Sequence, residues 1–261
     1  MMQTLCQLGE RCLVKISSLS KILAIFLWVI IWEILFRIVG REILVVSPFN
    51  TFIRIIELGG TAVFWRAIHS TMSGVTEGFF HAIWVGSIMA VLTYKFYILK
   101  IFFAPFLGIV RATPVASIII LALVWLTVSR IPVFIVFLMV MPIIWTNLEA
   151  GLDVIDKNLL EMASIFKLSR LKRIRYIYIA SLMPYIVSAL TTGLGVAWKT
   201  AVGAEVIARP AGTMGRHVYD ARIHLQTLDL FAWTVCVILL SILLEKVMIR
   251  LLELLKRNIC K

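Results

Sequence analysis

Apolar residues run almost without interruption over 21–40, 68–93, 98–128, 131–149, 176–204 and 229–252, and short polar breaks separate the runs. Each run supplies about the 20 residues with which a helix, rising ~1.5 Å per residue, crosses ~30 Å of hydrocarbon. The pattern therefore predicts six transmembrane helices with both ends on one side. Proline 114 falls inside the third run and predicts a break there. The run at 21–40 is too long for a signal-peptide core and has no small-residue cleavage site after it, so it is expected to stay as an anchor.

Polar residues inside the runs have helical spacing. Ser188, Thr192, Gly195, Lys199 and Gly203 share one face of the fifth run, a candidate pore or dimer-seam face. In the second run Ser70, Ser73, Glu77, His81 and Trp84 share a face, while Gly78, Ala82, Gly86 and Ala90 recur every four residues on a neighbouring one and predict close helix packing. Residues 41–70, interrupted by Pro48 and Gly59-Gly60, are expected to lie along the membrane surface, with Phe64 and Trp65 as an interfacial anchor. With 205–228 they are expected to form the outer face, where Asp220 and Arg222 are a candidate ion pair.

The one substantial polar interval lies between the fourth and fifth runs. Asp156 is placed to cap a short helix on which Ile155, Leu159, Met162 and Phe166 recur as an apolar stripe, and the basic cluster Lys167, Arg170, Lys172, Arg173, Arg175 follows. Two readings fit this pattern equally: a helix lying among lipid headgroups, or one docked against a protein partner.

Composition fixes the solvent. The chain is 61% hydrophobic and 15% charged, with a mean hydropathy of +1.00, which identifies an integral membrane protein. Its net charge of +12 does not indicate nucleic-acid binding, because the basic residues cluster at the ends of apolar runs. With the amino terminus cytoplasmic, cytoplasmic segments hold a two-to-one excess of Lys and Arg, which orients the chain and makes the 156–175 interval cytoplasmic. Cys6, Cys12, Cys236 and Cys260 have no metal spacing and are expected to be reduced, and the four histidines show no ligand pattern. No Gly-x-x-x-x-Gly-Lys-Ser/Thr phosphate loop is present.

The polar interval resembles the EAA loop of ATP-binding-cassette importer permeases. Glu161, Met162 and Ala163 stand in its first three places, and Ile177 and Ile179 in its hydrophobic ones. Lys167 replaces the usual glycine and Ala180 the first proline; Pro184, Tyr185 and Ile186 are similar to a second proline step. Arg111, Thr113, Pro114 and Trp125, then Ala204-Glu205, Met214-Gly215 and Tyr219-Asp220-Ala221-Arg222, are similar in order and spacing to signatures of the nitrate/sulfonate/taurine class.

The resemblance implies an all-α type I importer permease fold with a cytoplasmic coupling helix over 156–168, in which Asp156, Leu159, Leu160, Glu161, Met162, Ala163, Phe166 and Lys167 dock an ATPase. It further implies a cytoplasmic pair of ATP-binding subunits holding ATP and Mg, with no cofactor on this chain and no enzymatic site. An external substrate-binding protein and a second permease copy complete the assembly, in a cytoplasmic membrane. The implied layout is a cytoplasmic segment at 1–20, an anchor and surface segment at 21–64, a core at 65–255 with the loop at 149–175, and a tail at 256–261. The implied solute is small and anionic or sulfonate-like.

Glu77, Arg111, Ser188, Thr192, Lys199 and Glu205 are the candidate translocation path. One reading gives Lys199 and Arg111 to an anionic solute; the other pairs each with a carboxylate such as Glu77 or Glu205. An ion-coupled secondary transporter or a channel, working without ATP, is the competing function, with Glu77 its only support.

Overall fold

The computed structural model describes residues 23–259; the expected cytoplasmic segment, Cys6, Cys12 and Cys260 lie outside that range. Every regular element among the described residues is helical. Helix α1 covers 23–39. It is followed by α2 (Pro48–Gly59), α3 (Ala62–Lys95), α4 (Tyr97–Ala112), α5 (Val115–Ala122), α6 (Ile131–Asp153), α7 (Lys157–Ile165), α8 (Arg170–Arg173), α9 (Ala180–Ala208), α10 (Met214–Ile223) and α11 (Thr227–Ile259). A 3-10 turn, Val128–Arg130, leads into α6, and a π segment, Ile174–Ile179, joins α8 to α9.

Helices α3, α6, the α8-to-α9 run and α11 are each long and apolar enough to cross a membrane. The run at 98–128 departs from a single rod: α4 and α5 meet at 100°. Thr113 is extended (ψ 129°), as the ring of the following proline requires, and Pro114 has no N–H with which to continue α4. The bend falls at the proline, and neither arm alone spans the membrane. Dozens of large apolar side chains are exposed along α1, α3, α4 and α11, a surface that only lipid or protein tolerates.

The core is α3, α6 and α9 packed side by side. Gly78, Ala82, Gly86 and Ala90 are all buried, as their spacing predicts. A β-carbon on Gly78 would stand 2.6 Å from the Val133 carbonyl, and one on Gly86 would stand 3.0 Å from the Met141 carbonyl, so α3 and α6 touch backbone to backbone. Tryptophans fill the space between layers and spend their N–H groups on neighbours: Trp145 donates to Thr93 (2.9 Å) and Trp198 to the Val237 carbonyl (3.0 Å).

Helix α2 starts at a serine cap, Ser47, with Pro48 in the first turn. Phe49, Phe52 and Ile56 are exposed along it, as expected of a helix on the membrane surface. Both oxygens of Asp229 accept from Arg54, which ties α2 to α11; these bonds, with Glu57, raise the Arg54 pKa above its ordinary value. The aromatic pair is split: Trp65 is exposed, whereas Phe64 is buried against Trp233. His217 of α10 stacks on the other part of that cluster, 4.7 Å from Trp233, and burial holds its pKa below the usual imidazole value. Asp220 pairs with Arg216, one turn earlier, rather than with Arg222.

Candidate functional site

The chain presents functional groups at two ends of the core. Because α6 has 23 residues, ~35 Å of helix separates them. At one end, α7 follows the Asp156 cap, whose side chain accepts from Asn158 N (2.8 Å). The apolar stripe expected there divides in two. Ile155 and Ala163 are buried with Leu152 of α6 and Ile177 of the π segment, and Leu160 and Leu168 pack against this cluster. Leu159 (40% exposed), Met162 (51%), Ile165 (76%) and Phe166 (71%) face outward. One α7 face therefore clamps the helix to both neighbouring core helices, and the other offers apolar surface. Ile155 belongs to the clamp, because it precedes the cap and is turned back under α6.

Helix α7 ends in the geometry that glycine usually provides. Lys167 has φ +47°, its N–H bonds the Ser164 carbonyl (3.1 Å), and Leu168 N–H bonds the Ala163 carbonyl (3.0 Å). This is a Schellman close with an apolar contact from Leu168. A lysine β-carbon in this conformation costs ~1 kcal/mol. Lys167→Gly is expected to stabilise the chain by about 0.5–1 kcal/mol, and Lys167→Ala, which keeps the β-carbon, to give no such gain. The midpoint of thermal unfolding in detergent distinguishes them. At Ala180 the helical chain passes unbroken from the π segment into α9.

At the other end, α9 closes with Arg209 in the left-handed region (φ 60°), and the loop to α10 turns through Gly212 (φ 71°). Glu205, 1% exposed, meets the start of α10. Its Oε2 accepts from Gly215 N–H (2.9 Å) and from the Thr71 hydroxyl (3.0 Å), whose oxygen in turn accepts from Met214 N–H (3.0 Å). A carboxylate against the positive end of α10 thus ties α9, α10 and α3 together. Gly215 permits the approach: a β-carbon there would stand 2.4 Å from Glu205 Cβ and 2.8 Å from the Val202 carbonyl.

Beside this junction lies a cavity of about 350 Å³ lined by Ser70, Ser73, Glu77, Ser129, Arg130 and Glu205, among others. Arg130 Nη1 donates to Glu77 Oε1 across it. The six path candidates therefore separate. Glu77 and Glu205 line the cavity. Ser188, Thr192 and Lys199 stand exposed on α9, beside Gly195 and Gly203, whose outward sides meet nothing within 4 Å. Arg111 donates to Thr146 of α6 (2.9 Å).

The carboxylate pairs expected for Lys199 and Arg111 do not form. Glu77 is taken by Arg130 and Glu205 by backbone and hydroxyl donors, because those partners lie at the same depth of the bundle. Lys199 makes no ion pair among the described residues. Sequence reasoning missed Arg130, Ser129 and Thr71. Arg130 had a signal, since it immediately precedes the α6 run; Thr71, 134 residues from its partner, had none.

The family model for the inner membrane component of binding-protein-dependent transport systems matches residues 82–260. The chain belongs to that family. Among curated relatives of this permease is a probable ABC transporter permease protein of Brucella melitensis, 24% identical over 185 residues, covering 70% of this chain and 73% of the relative. The nitrate import permease protein NrtB of Synechococcus elongatus is 30% identical over 89 residues, 34% of this chain and 32% of that one. The permease fold also matches a crystal structure described as an amino acid ABC transporter with histidines, with a TM-score of 0.61 and 16% identity over 81% of this chain and 99% of that one. These matches place the all-helical bundle among type I importer permeases. The clamp of α7 and the Glu205 junction are thus features of a multi-pass membrane transport subunit.

Proposed function

We propose that the permease is the membrane-spanning half of an ATP-driven importer in a cytoplasmic membrane, both termini facing the cytoplasm. The outward face of α7 seats on a separate pair of ATPase subunits, which hold ATP and Mg. A second permease copy covers the open face of α9, and an external binding protein delivers a small solute with an acid group, sulfonate-like or nitrate-like.

The observation that carries this reading is the two-sided packing of α7. Leu159, Met162, Ile165 and Phe166 offer contact, while Leu160 and Ala163 fix the helix to the end of α6 and the beginning of α9. Closure of the ATPase pair displaces α7, and its rigid seat passes the displacement to α6 and α9. The far ends of these two helices carry Arg130 and Glu205, so movement at one end reshapes the cavity at the other. Glu149 of α6, held by Lys100 of α4 (3.1 Å), extends the moving unit to the bent pair.

Cysteines at Leu159 and Met162 are expected to crosslink to the partner ATP-binding subunit, and uptake is expected to stop when ATP is depleted. Uptake that persists on a proton or sodium gradient alone, with no crosslink formed, is the outcome that sinks the proposal and favours an ion-coupled carrier.

A further inference from the structure

We propose that the outward face of α8 and of the π segment after it is a seat for anionic phospholipid headgroups, separate from the ATPase-facing side of α7. The basic cluster Lys167, Arg170, Lys172, Arg173, Arg175 has no acidic counterpart nearby in the chain, since no Asp or Glu occurs between Glu161 and Glu205. Folding supplies none for its second half. Lys172, Arg173 and Arg175 form no ion pair among the described residues, and the buried Nε of Arg173 has no hydrogen-bond acceptor among them. Their charge is left for an external anion.

Interleaved apolar residues select a lipid surface rather than a soluble acidic partner. Leu171 and Ile174 are exposed; Arg175 lies one turn on from Leu171, and Lys172 and Tyr176, one turn apart, lie beside them, all exposed. The inward side is taken by half-buried Arg173 and by Ile177, which is buried in the cluster that holds α7. The outward face thus sets two aliphatic side chains next to two cations, the pattern of a helix lying in the headgroup layer. Depth agrees with this. The apolar helical run Leu171–Ala208 has 38 residues, ~57 Å at ~1.5 Å per residue, and a hydrocarbon layer of ~30 Å takes up only part of it, so its first turns lie at headgroup level. There Arg175 can take two phosphate oxygens in parallel, and Lys172 adds a point charge. Headgroups seated here anchor the start of the α9 run directly beside the clamp of α7.

Native mass spectrometry of the intact chain, released from micelles doped equally with phosphatidylglycerol and phosphatidylcholine, tests this. The chain is expected to retain phosphatidylglycerol at least about five-fold over phosphatidylcholine, and the triple variant Lys172→Gln, Arg173→Gln, Arg175→Gln to bring that preference within about two-fold. Arg222→Gln, an exposed cation at the end of α10, is expected to leave it unchanged. Should the triple variant fail to fold, the double variant Lys172→Gln, Arg175→Gln, which alters only exposed side chains, is expected to lower the preference at least about two-fold. A spin label on Leu171→Cys, in a chain whose native cysteines are alanine and in nanodiscs containing phosphatidylglycerol, is expected to be more accessible to oxygen than to a water-soluble nickel chelate. Equal retention of the two lipids by the unaltered chain, a preference that survives the substitutions, or a label reached more readily by nickel than by oxygen each overturns the assignment. Loss of ATPase co-purification in the variants with lipid preference intact gives the cluster to a protein partner instead. The lipid measurements need no ATPase, so a failure of the importer reading leaves them separately legible.

Discussion

Gly215→Ala is expected to cost about 3 kcal/mol or more and to lower the thermal midpoint of the chain by many degrees. The added methyl would stand 2.4 Å from Glu205 Cβ, 2.8 Å from the Val202 carbonyl and 2.9 Å from Val206 N, so two of the three nearest atoms are backbone and cannot rotate away. Overpacking of this kind costs ~1–3 kcal/mol. Lifting α10 off α9 also breaks the Gly215 bond to Glu205 and withdraws Met214 from Thr71, leaving a buried carboxylate short of donors at a further ~1–3 kcal/mol. The sum takes a large part of the 5–15 kcal/mol margin typical of folded domains. Gly108→Ala in α4, where nothing lies within 4 Å, is expected to be neutral or slightly stabilising. Fluorescence-detected size exclusion after heating, run on both variants, measures the contrast. Equal thermal midpoints would mean that the α9–α10 junction yields.

On the proposed seating of α7 against an ATPase, Met162→Glu is expected to abolish uptake while leaving the chain folded. Met162 is half exposed on α7 and has no part in the clamp, so the free chain loses little. Against a partner the same position is desolvated, and an unpaired buried carboxylate costs several kcal/mol, comparable with the ~1.5–3 kcal/mol gained by burying one apolar anchor. Co-purification of the ATP-binding subunit is expected to fall at least about ten-fold. Ala163→Glu forms the contrast: Ala163 is 1% exposed in the clamp, so that variant is expected to unfold the loop itself. Normal uptake by Met162→Glu would remove α7 from the docking surface.

Much of the fold was legible along the chain because a membrane imposes a one-dimensional rule: backbone polar groups must be satisfied within each span, so long apolar runs become helices. The small-residue stripe on α3 was legible for a related reason, since a four-residue repeat names a helix face whatever packs on it. The resemblance marked position 167 as the usual place of a glycine, and Lys167 takes the left-handed conformation despite its side chain. The stripe on α7 was only partly legible. Helical spacing put Ile155 on one apolar stripe with Leu159, Met162 and Phe166, but Ile155 lies before the cap, where helical phase no longer applies.

Pairings between distant segments could not be read in this way. Lys199 and Arg111 were natural partners for Glu77 and Glu205 by charge alone. The bundle instead brings Arg130 to Glu77, and Thr71 and Gly215 to Glu205, because those groups share a level along the membrane normal and Lys199 faces outward from α9.

By itself the sequence determined that this protein is a helical membrane protein, roughly where its long apolar runs lie, that α3 packs closely along a small-residue face, and that a short capped helix interrupts the bundle between 153 and 170. These properties depend on local hydrogen bonding and hydropathy, which neighbouring residues settle among themselves. Only the tertiary structure decided that the third apolar run bends through 100°, which face of α7 is left outward, and which charges meet in the cavity. Those depend on the relative depth and rotation of helices far apart in the chain, fixed by backbone contacts such as Gly78 on Val133 and Gly215 on Glu205.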